Sequence, residues 1–196
     1  MQYRVITISR EFGSGGRTIS REVAKRLGIA CYDGEMIELL AEKSGFSEAH
    51  VAELEEQIAR RKPFSGRGER AERSSILQVS LRDKQEKLIM ELAEKEPCVI
   101  IGRGADRVLR DRKDCLRVFI HADIDKRIER VTTVYGETDD SPMKRVEEKD
   151  KCRRAFYQRY TGSKWADAAN FHICLDSGAM GIDACVDILE HMYRGK

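Results

Sequence analysis

Apolar residues gather in four short runs, at residues 5–8, 98–101, 116–120 and 171–175, with a shorter fifth at 29–32. Their length and their Val and Ile content predict strands. Between them the period changes to a helical one. Ile19, Val23 and Leu27 share one face, as do Val51, Leu54 and Ile58, and again Ile182, Val186 and Leu189. Gly28 is placed to stop the first of these helices, Ser47 to cap the second, and Ser141-Pro142 to open a further one. Strands that alternate with helices predict an α/β fold: a central parallel sheet covered on both faces, with ligands at the carboxyl ends of the strands.

Two segments do not read as sheet or covering helix. Residues 60–74 are basic and contain glycine, as an exposed link would, inside a helical insertion spanning about 35–95. Residues 135–165 join a polar loop at 135–140 to a densely charged stretch at 147–160. With 196 residues and no internal repeat, the chain is expected to form a single domain, 1–196, that carries both segments.

The 36 basic and 34 acidic residues nearly cancel, leaving a net charge of +2, so nothing in the overall balance argues for nucleic-acid binding. The local clusters, Arg60-Arg61-Lys62 with Arg67, Arg70 and Arg73, and then 149–159, suit solvated faces or small phosphorylated ligands. Cys31, Cys98, Cys115, Cys152, Cys174 and Cys185 include no C-x-x-C pair, and no secretory leader is evident. A reduced, cytoplasmic protein is expected. Cys31, Cys98, Cys115 and Cys174 sit in or beside apolar runs, where buried thiols act as small hydrophobes. His50, His121, His172 and His191 lack zinc-ligand spacing. No apolar run nears the ~18 residues of a membrane helix, so a soluble protein without a membrane partner is expected.

Candidate chemistry centres on residues 9–18. A predicted strand leads into Gly13-Ser14-Gly15-Gly16, and a predicted helix follows. Glycines there let the backbone wrap an anion and aim successive N–H groups and a helix N-terminus at it. A nucleotide polyphosphate is the expected guest, held by Gly13, Ser14, Gly15, Gly16, Arg17 and Thr18. The match to G-x-x-x-x-G-K-[ST] admits two registers. In one, Arg17 is the cation and Thr18 the magnesium-facing hydroxyl. In the other, Gly16 occupies the lysine position. Neither keeps a lysine, and arginine is bulkier and less easily slid along a transferring phosphoryl group.

Four pieces in order resemble the cytidylate kinase-like proteins, a branch of the P-loop nucleoside monophosphate kinases. They are residues 8–17, Cys31-Tyr32-Asp33, residues 99–106 around Gly102-Arg103-Gly104, and residues 150–157 around Arg153-Arg154. The resemblance covers nearly the whole chain. It implies a three-layer P-loop NTPase fold with a parallel sheet, an inserted region (about 35–95) for the acceptor and a lid (about 135–165) that closes over ATP. It implies that Asp33, followed by Met36, contacts the acceptor nucleotide, and that Arg103 holds the acceptor phosphate with Arg10 nearby. Arg153 and Arg154 then resemble lid arginines on the transferring phosphoryl group, oriented by Asp150, one helical turn away. Taken singly, each arginine also suits a solvated helix face.

Phosphoryl transfer asks mainly for positioning and charge neutralisation, which Arg10, Arg17, Arg103, Arg153 and Arg154 are able to supply. No aspartate ends the 98–101 run, and Asp106 comes several residues late. The leading expectation is an ATP- and Mg2+-dependent kinase of a nucleoside monophosphate, CMP or dCMP, acting as monomer or homodimer. A shikimate-type kinase and a nucleotide-binding regulatory module without turnover are the alternatives.

Overall fold

The computed structural model describes residues 3–60, 69–136 and 141–195, with side chains described throughout these except at 55–60 and 69–75. The basic side chains at 60–73 and part of the polar loop, 137–140, lie outside the described residues. Five strands, β1 (Val5–Arg10), β2 (Ala30–Tyr32), β3 (Cys98–Ile101), β4 (Cys115–His121) and β5 (Ile173–Asp176), form one sheet in the order β2-β3-β1-β4-β5. Every neighbouring pair is parallel. The expected α/β architecture is therefore present, with β5 beginning two residues later than the apolar run that announces it.

Strand alternation sends side chains to two cores. Val5, Cys98, Ile100 and Cys115 pack with Leu40 of α2 (Glu35–Ser44) and with Leu81, Leu88 and Leu92 of α4 (Glu69–Lys95). On the other face Ile6, Ile8, Val99 and Val118 meet Ile19 and Val23 of α1 (Gly16–Leu27) and Val186 and Leu189 of α9 (Ile182–Arg194), which follows the short α8 (Ser177–Met180). Each buried Leu or Ile stabilises the fold by about 1.5–3 kcal/mol relative to exposure. The apolar stripes on α1 and α9 are thus the reason these helices lie flat on the sheet.

Helix ends follow their local chemistry. Gly28 takes φ 67° and its N–H caps the carbonyls of Ala24 and Lys25. Ser47 accepts from the N–H of His50 at the start of α3 (Glu48–Arg60), and Ser141 accepts from Lys144 N with Pro142 opening α7 (Pro142–Thr161). A third cluster, Phe119, Tyr157, Trp165 and Phe171, fastens α7 to β4. The cysteine expectation needs a correction: Cys98, Cys115 and Cys185 are buried, Cys31 is half-buried and Cys174 is exposed. Cys174 lies on the edge strand β5, where one face of the strand has less to pack against.

β1 is central, and the chain passes from β1 to β2 and β3 on one side before β4 returns on the other. The crevice at such a switch point opens beyond the carboxyl ends of the strands. The turns after β1, β2 and β3 converge there.

Candidate functional site

After Arg10 the chain turns through Glu11 to Gly15 into α1. Gly13 and Gly15 have φ 81° and 73°, and neither has room for a side chain: a Cβ on Gly13 would sit 2.7 Å from Arg127 O, and one on Gly15 2.5 Å from Ile182 Cδ1. Gly15 is the N-cap of α1, and no acidic residue occupies the first turn. The positive end of the helix therefore meets no carboxylate of its own first turn.

Charged residues hold this loop from behind. Glu11 Oε2 accepts from Ala122 N at 3.3 Å and lies 3.5 Å from Arg127 Nε. Arg127, on α6 (Ile124–Thr133), donates to the carbonyl of Phe12 at 3.3 Å and pairs with Asp150 of α7. Asp150 accepts from Phe12 N at 2.7 Å and lies 3.7 Å from Arg153. Glu11, Arg127 and Asp150 thereby tie the loop to α6 and α7.

The helix begins at Gly16, which makes Arg17 its second residue. From there Arg17 reaches away from the loop, its Nε 2.6 Å from Asp33 Oδ2, while Thr18 is exposed on the first turn. Asp33 is 7% exposed, and Arg10 and Arg21 also approach it, at 3.9 and 3.6 Å.

Arg103 sits between Gly102 and Gly104, and all three have positive φ, at 73°, 54° and 67°. For a non-glycine residue such a conformation costs about 1–3 kcal/mol and persists where its surroundings impose it. Buried Gln85 of α4 does so here, donating to the Arg103 carbonyl at 3.1 Å and accepting from its guanidinium at 3.3 Å.

A cleft of about 910 Å³ opens between these turns, α3 and α7. Arg10, Arg17, Arg103, Arg145, Lys149 and Arg153 line it, against Asp33, Glu53 and Glu148. Burial, then the charge of Arg153, makes Arg10 a weaker base than usual, and burial does the same to Arg153. Such crowding of positive charge favours a polyanionic guest. Ile37, Ala49, Ala52, Phe156 and Trp165 supply apolar wall.

Asp106 lies on a short helix, α5 (Ala105–Val108), that folds it back under β1. Ser9 Oγ donates to it at 3.1 Å and Tyr157 Oη at 2.6 Å, and burial raises its carboxyl above the ordinary value. A carboxylate thus stands by the strand ends although none terminates β3. A second hollow, of about 210 Å³, lies on the other side of the loop, lined by Gly13, Ser14, Lys126, Arg130, Ser177 and Gly178 among others.

The cleft gathers Arg10, Arg17, Asp33, Arg103 and Arg153. It does not gather Arg154, whose guanidinium lies over the Trp165 ring at 5.7 Å on the exposed side of α7. Sequence reasoning missed Glu11, Gln85, Arg127 and Arg130. Arg127 and Arg130, three apart in a helix capped by Asp123, share a face, which was the available signal.

The sequence profile of the cytidylate kinase-like family matches residues 5–179. A protein named cytidylate kinase from Methanosarcina mazei is 27% identical over 191 residues, covering 94% of this chain and 93% of its own. Among solved structures, an uncharacterized protein from Eubacterium ventriosum superposes with TM-score 0.71 at 25% identity, over 98% of this chain and 99% of that one. A shikimate kinase from Bacteroides thetaiotaomicron shares the fold, with TM-score 0.54 at 18% identity over 96% and 97% of the two chains. With a parallel sheet in the order β2-β3-β1-β4-β5, a glycine loop at the end of its central strand and a profile match over most of its length, the chain belongs to the cytidylate kinase-like family.

Proposed function

We propose that this protein transfers the terminal phosphoryl group of ATP to a nucleoside monophosphate, with CMP or dCMP as the acceptor. The observation that carries the reading is the convergence of Arg10, Arg17, Arg103 and Arg153 on one cleft beside the glycine-capped N-terminus of α1. The donor phosphates occupy the loop of Gly13, Ser14, Gly15, Gly16, Arg17 and Thr18, with the donor nucleoside toward the hollow near Arg130 and Gly178. The acceptor occupies the large cleft, its phosphate on Arg103 and Arg10, with Asp33 on the acceptor side. An oxygen of the acceptor phosphate attacks the terminal phosphorus. The bond from that phosphorus to its bridging oxygen breaks, and the electron pair leaves on ADP.

Arg153 neutralises charge on the transferring group, Asp150 sets its position, and Arg154, on the outer side of α7, adds at most a small long-range charge effect. Of the lid expected over about 135–165, the described residues 135–136 and 141–165 would close over the cleft and exclude water. Mg2+ suits the residues present. Thr18 offers an exposed hydroxyl, and among the described residues no cluster of three or more His, Cys, Asp or Glu side chains forms a cage. A single neutral hydroxyl ligand suits an ion held mostly by water and substrate phosphates. Thr18 would hold it, and the ion would neutralise phosphate charge.

A carboxylate-bearing alcohol is the second reading, because arginines grip carboxylate and phosphate alike and three of them already engage Asp33. A binding module without turnover is the third, favoured by the absence of a loop lysine. An ADP-release screen over nucleoside monophosphates and shikimate-like alcohols separates the three. Release with CMP or dCMP supports the proposal, release with an alcohol alone supports the second reading, and ATP binding without release supports the third.

Among the described residues no helix is long and apolar enough to cross a membrane. We place the protein in the cytoplasm as a monomer or homodimer.

A further inference from the structure

The start of α1 at Gly16 selects one register of the loop. Arg10 then stands at the first glycine of G-x-x-x-x-G-K-[ST], Gly15 at the second, Gly16 at the lysine and Arg17 at the hydroxyl, so that the hydroxyl proposed for Mg2+, Thr18, comes one residue later than in that pattern. A cation and a glycine have exchanged places relative to that pattern. The exchange has a steric basis: a Cβ on Gly16 would lie 2.6 Å from Arg10 Cβ and 2.9 Å from its Cγ. Both positions cannot carry a side chain in this backbone. At the other end of the arginine, a Cβ on Gly102 would overlap Arg10 Nη1. Gly16 beside the stem and Gly102 beside the guanidinium form a slot for one arginine.

The guanidinium held in that slot lines the cleft with a side chain only 18% exposed. Its carboxylate neighbour, Asp33, is 3.9 Å away and is engaged more closely by Arg17, at 2.6 Å. The Arg17 side chain is thereby committed to the acceptor side, and only its backbone N–H remains for the donor phosphates at the loop. We infer that Arg10 supplies, from the end of β1, the cation that a phosphate loop ordinarily carries on its helix, and that it grips the terminal phosphate of the bound triphosphate. The inference rests on the reading that the loop holds a triphosphate donor. From its slot between the loop and Gly102, Arg10 faces donor and acceptor phosphates together, whereas a loop lysine starts on the donor side alone. It is a catalytic residue in the sense that it touches the group in transfer.

The test uses the full chain and reads the ratio of ATP to ADP affinity by calorimetry, since a contact to the terminal phosphate favours ATP alone. Four proteins are compared: wild type, Arg10→Ala, Gly16→Lys, and Arg10→Gly combined with Gly16→Lys. Arg10→Ala should lower the ratio about tenfold or more, as expected for a lost charged hydrogen bond. Gly16→Lys alone should melt lower, because its side chain meets Arg10. The double variant should melt near wild type and recover most of the ratio, since the lysine then has the space that Arg10 leaves.

An unchanged ratio in Arg10→Ala overturns the inference. So does a double variant that melts like wild type yet keeps the low ratio of Arg10→Ala. Wild type that binds no ATP overturns both the inference and the donor reading. An Arg10-dependent ratio without turnover on any acceptor overturns the kinase reading and leaves the inference standing.

Discussion

Asp150 accepts a hydrogen bond from the backbone N–H of Phe12 at 2.7 Å, which fastens the middle of α7 to the glycine loop. The same carboxylate pairs with buried Arg127 and faces Arg153. Asp150→Asn removes the charge and leaves Arg127 with Glu11 at 3.5 Å as its remaining carboxylate. Loss of one partner from a buried pair costs about 3–5 kcal/mol, and the presence of Glu11 places the expected loss at the lower end of that range. Urea unfolding measures it. A loss near zero would mean that Asp150 does not hold the loop.

The two neighbouring arginines of α7 should behave differently. Arg153 lines the cleft and donates to the carbonyl of Arg10 at 3.2 Å, whereas Arg154 lies outside over Trp165. Arg153→Ala should lower turnover by roughly 10²–10³ with little change in ATP affinity, the signature of a contact that strengthens in the transition state. Arg154→Ala should cost about threefold or less, as exposed charges do. Equal losses in the two variants would require α7 to rotate when it closes.

On the acceptor side, Arg103→Ala and Asp33→Asn should each raise the acceptor KM and leave the ATP KM nearly unchanged. Asp33 acts here by setting Arg17, at 2.6 Å, in a crowd of like charges. A fall in the acceptor KM for Asp33→Asn would show that the carboxylate competes with the substrate phosphate. Equal changes for both substrates would move these residues out of the acceptor site.

Asp106 should leave a mark on stability against pH. Burial raises its carboxyl above the ordinary 3.8, with the bonds from Tyr157 and Ser9 acting in opposition. A raised carboxyl makes the protonated fold the favoured one. Its contribution is full below the unfolded value and is lost as pH climbs through the raised folded value. Wild type should therefore lose stability relative to Asp106→Asn over that interval, and the difference should then level off. A difference that instead grows as pH falls would mean that the folded carboxyl is depressed.

The sheet was legible in the sequence because interior parallel strands are apolar throughout, so five short runs announce five strands. The strand order was not, since periodicity carries no information about neighbours. Gly13 and Gly15 were legible as turn-formers, but the loop register was not, because it depends on whether the helix starts at Gly16 or one residue later. That single step decides that Arg17 points to Asp33. Arg127 escaped notice for a physical reason as well: a charged residue on an amphipathic helix reads as solvent-facing, and its burial against Asp150 and Glu11 exists only once α6, α7 and the loop are assembled. Asp106 looked late for a strand-end carboxylate because one short helical turn folds it back beneath Ser9.

The most direct measurement is phosphorus NMR of the protein with ATP, Mg2+ and CMP. It distinguishes transfer from hydrolysis and from binding in one spectrum. Phosphoryl transfer to CMP requires that the ATP signals give way to ADP and CDP in equal amounts, with no inorganic phosphate accumulating. Inorganic phosphate without CDP, or ATP signals that persist unchanged beside CMP and dCMP, would contradict it.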